Sequence, residues 1–268
     1  MNLPRLRALA DKYDFLVVID ETIGNFMNVN VLPYADIVAS SLTKVFSGDS
    51  NVMGGWYVVP SLLALFDVNQ IFTASLILNP KGRHYAGLTK HLSTTYEDLY
   101  FDEDALFLER NSRDFKQRIK KIDTNAEIIC DHLRSRSVSG GASSAVIKKV
   151  FYPKWETREH YERCRIKETE DSAGGGFGGL FSLTFTSSAA SRAFFDKLPC
   201  HKGPSLGSNF TLVCPYTILA HYAELDWAAE YGVEETLVRV SVGMEPTEEL
   251  LSAFELALRA AEATGSCC

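Results

Sequence analysis

Residues 15–44 read FLVVIDETIGNFMNVNVLPYADIVASSLTK. Two short apolar runs, FLVVID (15–20) and ADIVASS (35–41), flank a stretch rich in Asn, Gly and Pro. The first run shows no alternation of polar and apolar positions. That pattern predicts a strand covered on both faces, as in a parallel sheet. Asp20 closes the first run, and Lys44 stands just beyond the second, 24 positions later. In open α/β sheets ligands collect beyond the carboxyl ends of the strands. If the two strands are adjacent and parallel, a carboxylate and an amine share one rim.

The surroundings of that amine are unusual for a surface lysine. Ser41 and Thr43 precede it, and Ser47, Gly48, Gly54 and Gly55 follow it. Small hydroxyls and backbone amides are the groups that hold a phosphate. Glycines allow the chain to pass close to a bound group. An amine for a Schiff base, a carboxylate for a pyridine nitrogen and a phosphate cradle together match the needs of pyridoxal phosphate. The ordinary alternative stays open on spacing alone: a solvated lysine after a strand, and an aspartate that caps a turn.

Further along, GGWYVV (54–59) reads as another strand, and the alternation of elements suggests an α/β layer. The N-terminal segment, with Leu3, Leu6 and Leu9, reads as a helix. The clearest helix is amphipathic. Phe115, Ile119, Ile122, Ala126, Ile129 and Leu133 recur at steps of three and four, with charges between them. It is expected to stop near Ser137, before Gly140 and Gly141. Beyond it the pattern changes to alternating strands: AVIKKVFYP (145–153), GLFSLTFTS (179–187) and TLVRVSVG (236–243). Each is expected to have one wet face. Helices fit SAASRAFFDKL, TILAHYAELDWAAEYG and TEELLSAFELALRAAEA. We place a domain boundary near residue 122, with residues 1–122 in a sheet-bearing large domain and 123–268 in a C-terminal α+β small domain.

The 268-residue chain is 46% hydrophobic with a net charge of −7. This is ordinary globular composition, and it disfavours a nucleic-acid or anionic-membrane surface. No run reaches the ~20 apolar residues of a membrane span, and the N-terminus lacks a secretory pattern. The six cysteines form no C-x-x-C pair, which points to reduced thiols in a cytoplasmic protein rather than to a disulfide framework. His160 and Cys164 could share a helix face, but two ligands do not make a metal site. Gly174, Gly176 and Gly179 satisfy G-x-G-x-x-G, yet an acidic stretch precedes them and a strand follows, so the segment reads as a loop. GDSNV (48–52) lacks the second glycine of a hydrolase elbow, and no phosphate-loop motif for nucleotides occurs.

Four separated segments, IDETIGNF, SSLTKVFSGDSNVMGG, KGPSLGSNFTLVCP and LVRVSVGMEP, together resemble the Cys/Met-metabolism group of pyridoxal-phosphate enzymes, above all the fungal cystathionine γ-synthases, or O-succinylhomoserine (thiol)-lyases. The resemblance implies the fold-type I transferase architecture, similar to aspartate aminotransferase, with a mostly parallel sheet. It implies Lys44 as the Schiff-base lysine and proton carrier, Asp20 at the pyridine nitrogen, and Ser41 and Thr43 at the cofactor phosphate. Ser205 and Arg239 would hold the substrate carboxylate, a role that suits the two-pronged guanidinium. Taken alone, Arg239 reads first as a strand arginine facing water. The implied reaction is γ-replacement on O-succinyl- or O-acetylhomoserine with cysteine, giving cystathionine for methionine biosynthesis. A related β- or γ-lyase, a secondary-metabolism substitution or a non-catalytic fragment are the alternatives, and a homodimer or homotetramer is the implied assembly.

The sequence departs from the family pattern at Asp49, Asn51 and Phe210, where relatives often carry His, Asp and Glu. Relatives also carry a long preceding portion with a glycine loop and a stacking tyrosine. The resemblance therefore implies that this chain is the C-terminal part of such an enzyme. By itself it is expected to bind the cofactor weakly and to turn over little substrate.

Overall fold

A computed structural model of the protein describes residues 1–52, 74–95, 100–143, 145–169 and 174–265. The strand expected over 54–59, Gly54 and Gly55, and Cys267 and Cys268 lie outside them. The described chain separates into two compact units. One comprises residues 1–116 and 157–176, the other 117–156 and 177–268.

In the first unit, α1 (Leu3–Tyr13) begins with the Asn2 side chain accepting from the Arg5 amide and ends at Asp14, whose left-handed backbone returns its amide to Ala10. Such caps satisfy the backbone groups that a helix end leaves unpaired. The chain then enters β1 (Val18–Asp20) and β2 (Ile37–Ser41), which pair in parallel with Val18 opposite Ile37 and Asp20 opposite Ala39. β3 (Ala74–Leu78) adds antiparallel to β2, in the order β1-β2-β3. Asp36 anchors the entry of both parallel strands. Its buried carboxylate accepts from the Val17 amide at 2.8 Å and pairs with Arg7 at 2.9 Å. Burial pushes this carboxyl up, but the Val17 amide and the Arg7 guanidinium outweigh it and hold it below the ordinary value. α2 (Tyr85–Thr95) and α3 (Asp102–Ser112) follow, with Asp102, Glu103 and Asp104 favourably placed in the first turn of α3.

α4 (Phe115–Ser135) carries the expected stripe. Phe115, Ile119, Ile122, Ala126, Ile129 and Leu133 are all buried. The boundary between the units falls at its first turn, between residues 116 and 117. After β4 (Ile147–Phe151), the segment 157–176, with the short helix α5 (Arg158–Tyr161), returns to the first unit. The glycine-rich loop belongs to this return. A side chain at Gly175 would stand 2.2 Å from the Asn28 carbonyl oxygen, and the Asn28 side chain accepts from the Gly176 amide at 2.7 Å. Gly175, between two of the motif's glycines, serves close approach of two backbone segments.

The second unit is built on a five-stranded sheet in the order β4-β5-β8-β7-β6, where β5 is Leu180–Phe185, β6 His201–Lys202, β7 Leu212–Cys214 and β8 Val238–Ser241. One face is apolar. Phe181 meets Phe254 of α9 (Thr247–Ala263), and Phe185 meets Phe194 of α6 (Ser188–Lys197). Burying an aromatic side chain of this size contributes about 1.5–3 kcal/mol. The opposite face differs from the wet one expected: Thr184 is fully buried and Ser182 half-buried. That face is partly covered by the chain's own loop at 204–207, described below. The helix expected over 217–232 is divided into α7 (Tyr216–His221), a tight turn at Tyr222–Glu224, and α8 (Leu225–Glu230). Leu219, Tyr222, Trp227 and Tyr231 are exposed, so no continuous buried stripe holds one straight helix.

Candidate functional site

The parallel pairing of β1 and β2 makes both strands end at the same rim. Asp20 is the last residue of β1, Ser41 the last of β2, and Leu42–Phe46 form the irregular turn that carries Lys44. Lys44 interrupts the helical geometry of that turn (φ −82°, ψ −119°), and its carbonyl accepts from the Gly48 amide at 2.8 Å. Lys44, Ser41 and Thr43 are half-buried, and Asp20 is exposed.

Thr22 joins the two strand ends. Its hydroxyl donates to Asp20 Oδ1 at 2.6 Å and accepts from the Ser41 amide at 2.8 Å, while its own amide donates to the same Asp20 oxygen at 2.9 Å. The Asp20 carboxylate is thereby aimed and the start of the Lys44 turn is held. Sequence reading passed over Thr22, although D-x-T after a strand is the signature of a side chain closing a turn on the residue two positions on.

Glu21 is the other residue that sequence reading missed. It is buried, and both of its carboxylate oxygens accept from the Phe26 amide, at 3.0 and 3.1 Å. Burial pushes its carboxyl up to about 7; the Phe26 amide opposes this and the neighbouring Asp20 adds to it. The turn it closes holds Asn25 and Phe26 at positive φ, 61° and 55°. A carboxyl with this ionisation sits next in sequence to the proposed partner of a cofactor nitrogen.

Ser205 and Arg239 fall in the second unit, where the structure brings them together. Arg239 lies on the partly covered face of the sheet, opposite Ser182 on one side and Cys214 on the other. Its Nη2 donates to the carbonyls of Pro204 and Ser205, the latter at 3.3 Å. Its guanidinium carbon lies 4.9 Å from the Tyr216 ring centroid. Ser241, next on the same face, accepts from the Gly207 amide at 2.8 Å. Gly207 has φ +75°, which the bend of the S-L-G loop requires. Burial raises the Cys214 thiol, and the adjacent guanidinium draws it back. Arg239 is therefore a strand arginine tied to a loop rather than one standing in water. Among the described residues it pairs with no carboxylate.

Among the described residues no cluster of three or more His, Cys, Asp or Glu could hold a metal, and no helix is long and apolar enough to cross a membrane.

Comparison with known proteins extends this geometry. Residues 1–259 match the Cys/Met metabolism PLP-dependent enzyme family. The chain is 61% identical over 268 residues to the cystathionine gamma-synthase-like enzyme iboG2 of Amanita muscaria, an alignment covering 97% of this chain and 40% of the relative. It is 46% identical over 262 residues to cystathionine gamma-synthase of Neurospora crassa, covering 97% and 37%. Among solved structures, cystathionine gamma synthase of Xanthomonas oryzae pv. oryzae in complex with cystathionine matches with a TM-score of 0.74 at 23% identity, covering 98% of this chain and 60% of the other. At that identity the likeness speaks for the fold. The chain spans about 40% of the length of the curated relatives it matches.

Proposed function

We propose that this chain, which belongs to the Cys/Met metabolism PLP-dependent enzyme family, supplies Lys44 as the carrier of pyridoxal phosphate in an enzyme of its relatives' length, and that this enzyme performs γ-replacement on an O-acylhomoserine, with cysteine as the thiol and cystathionine as the product. The observation that supports it most is the shared rim of β1 and β2, where Asp20, Thr22 and Ser41 form one hydrogen-bonded unit beside the Lys44 turn.

The residues present fit the cofactor. Among the described residues, the Ser41 and Thr43 side-chain hydroxyls have no hydrogen-bond partner within the chain, which suits donors that serve a phosphate. When bound, pyridoxal phosphate supplies an aldehyde that condenses with amines and a ring that draws electrons from the carbon next to the captured nitrogen. Asp20 would stand at the ring nitrogen, oriented by Thr22. Lys44 would hold the cofactor at Nζ and then take and return protons at the substrate's carbons. Arg239 would bind the substrate carboxylate, with the Ser205 loop setting its direction. A cytoplasmic location and a homodimer or homotetramer accompany this reading; the buried, unpaired Cys130, Cys164 and Cys214 support the first.

A second reading has support of its own. The chain is more similar to the cystathionine gamma-synthase-like enzyme iboG2 than to the Neurospora synthase, which favours a related γ-substitution of secondary metabolism.

Borohydride reduction after incubation with pyridoxal phosphate, followed by peptide mapping, tests the cofactor assignment. A phosphopyridoxyl group on Lys44 is expected, and a label confined to other lysines would overturn it. Assays of O-acetyl- and O-succinylhomoserine with and without cysteine test the reaction. They are run on an enzyme of the relatives' length, because the chain alone is expected to turn over little substrate. Cystathionine formed only with cysteine supports replacement, a keto acid formed regardless of cysteine means elimination, and no turnover means a non-catalytic protein.

A further inference from the structure

The loop after Lys44, residues 47–51, is held from a distance by one side chain. Asn111 lies in the last turn of α3 and is buried, with 5% of its surface exposed. Its amide meets three residues of the loop. The Asp49 carboxylate and the Phe107 carbonyl can only accept, so the amide nitrogen faces them, at 3.0 and 3.1 Å. The amide oxygen then accepts from the Ser47 hydroxyl at 2.9 Å, and the Asn51 side chain meets it at 2.8 Å. Ser47 is fully buried, and its amide donates to the Leu42 carbonyl across the Lys44 turn. The Phe46 ring packs against Phe115 at 5.1 Å. Loop and turn are thus fixed to the region where α3 gives way to α4. The Asn51 atom at this distance is Oδ1, so the Asn51 amide turns to present its nitrogen to the Asn111 oxygen. The donors and acceptors of Asn111 are then matched in kind, and a buried amide tolerates few exchanges without leaving a group unpaired.

We propose that Asn111 is the positioning residue of the lysine turn: it holds Ser47, Asp49 and Asn51 so that the Lys44 amine keeps one placement toward the cofactor. This rests on the reading that Lys44 carries pyridoxal phosphate. It also gives Asp49 and Asn51 a role: they are the loop's grips on α3, and they follow Asn111 rather than the substrate.

The test compares wild type with Asn111→Ala and Asp49→Ala. Two readouts are taken: borohydride labelling by pyridoxal phosphate, mapped by lysine, and amide hydrogen exchange over residues 42–52. In wild type the label should lie on Lys44 and the loop should exchange slowly. In Asn111→Ala labelling of Lys44 should fall roughly tenfold, the factor expected when bonds to a charged group are lost. Exchange over 42–52 should rise while α9 stays protected. Asp49→Ala, which removes the exposed end of one bond, should shift both readouts in the same direction by less. If Asn111→Ala does not fold, Asp49→Ala carries the test alone. Wild-type labelling and wild-type exchange in the folded variants would overturn the proposal. Absent Lys44 label in wild type at saturating pyridoxal phosphate would overturn the cofactor reading, and with it the positioning role, whatever the exchange shows.

Discussion

The two units present their candidate site side chains in opposite ways. In the first, Asp20, Ser41, Thr43 and Lys44 stand at or just beyond the ends of two parallel strands, where the backbone ladder has finished. Thr22 ties Asp20 to the end of β2, and Asn111 holds the loop that follows Lys44. In the second, Arg239 sits within a strand, flanked by cross-strand neighbours, and holds a loop of its own chain by two carbonyls. A strand end exposes side chains to a ligand and needs accessory residues to aim them. A mid-strand position aims the side chain already but surrounds it with the chain's own acceptors. The first arrangement should therefore fail through loss of orientation, the second through loss of the particular side-chain shape.

The largest effect should come from the foundation of the first unit. Asp36→Ala leaves the Val17 amide and the Arg7 guanidinium without their shared acceptor. Breaking a buried pair from one side costs about 3–5 kcal/mol. Denaturant unfolding should show that loss, and a drop under 1 kcal/mol would mean the strand entry is held otherwise. The wild-type pair should also weaken in acid. The Asp36 carboxyl titrates below its ordinary value, so its contribution is present above that value and fades as pH falls through the depressed one.

Glu21 should show the reverse sign. Its folded carboxyl titrates at about 7, above the ordinary 4.5, so the folded state binds the proton more tightly. Stability should decline as pH rises from 4.5 to 7 and then level off. Glu21→Gln keeps the shape and one acceptor but does not ionise. It should flatten that slope and add on the order of 2–3 kcal/mol at pH 8 relative to wild type. Melting curves across this range decide it, and parallel curves for the two proteins would reject the assignment.

In the second unit, Arg239→Lys retains the charge but loses the fork. Substrate binding should weaken by about 1.5–3 kcal/mol, with little change in pyridoxal phosphate affinity. An unchanged KM together with an unchanged kcat would remove Arg239 from the substrate site. Tyr216→Leu removes the ring against which the guanidinium lies, a contact worth about 0.5–1 kcal/mol at an accessible site. The expected outcome is a small rise in KM at constant kcat, and Tyr216→Phe should behave as wild type because the ring face is kept. A large fall in kcat for Tyr216→Leu would make the two units more alike than this comparison holds.

Much of this was legible in the chain itself. The apolar steps of α4 and α9, the strand runs and the Asp20 to Lys44 spacing depend on local pattern and chain direction, and those are written residue by residue. Thr22 and Glu21 were available in principle, since D-x-T is a turn signature and a glutamate beside a strand-end aspartate is conspicuous. Asn111 was not. It lies 64 residues from Ser47, and nothing in its own neighbourhood marks it as a partner of a loop that follows a distant lysine. The covered second face of the five-stranded sheet escaped for the same reason, because alternation says which residues share a face but not what is laid upon it.

The amino-acid sequence by itself determined the strand and helix stripes, the candidate lysine and its carboxylate, and the family to which the chain belongs, because periodicity and short motifs are properties of neighbours in the chain. The tertiary structure alone decided that Thr22 bridges two strand ends, that Glu21 is buried enough to titrate near 7, that Arg239 holds the Ser205 loop, and that Asn111 grips the lysine turn. Each depends on which groups lose water together and which distant donor meets which acceptor, and those are fixed only when the chain has closed on itself.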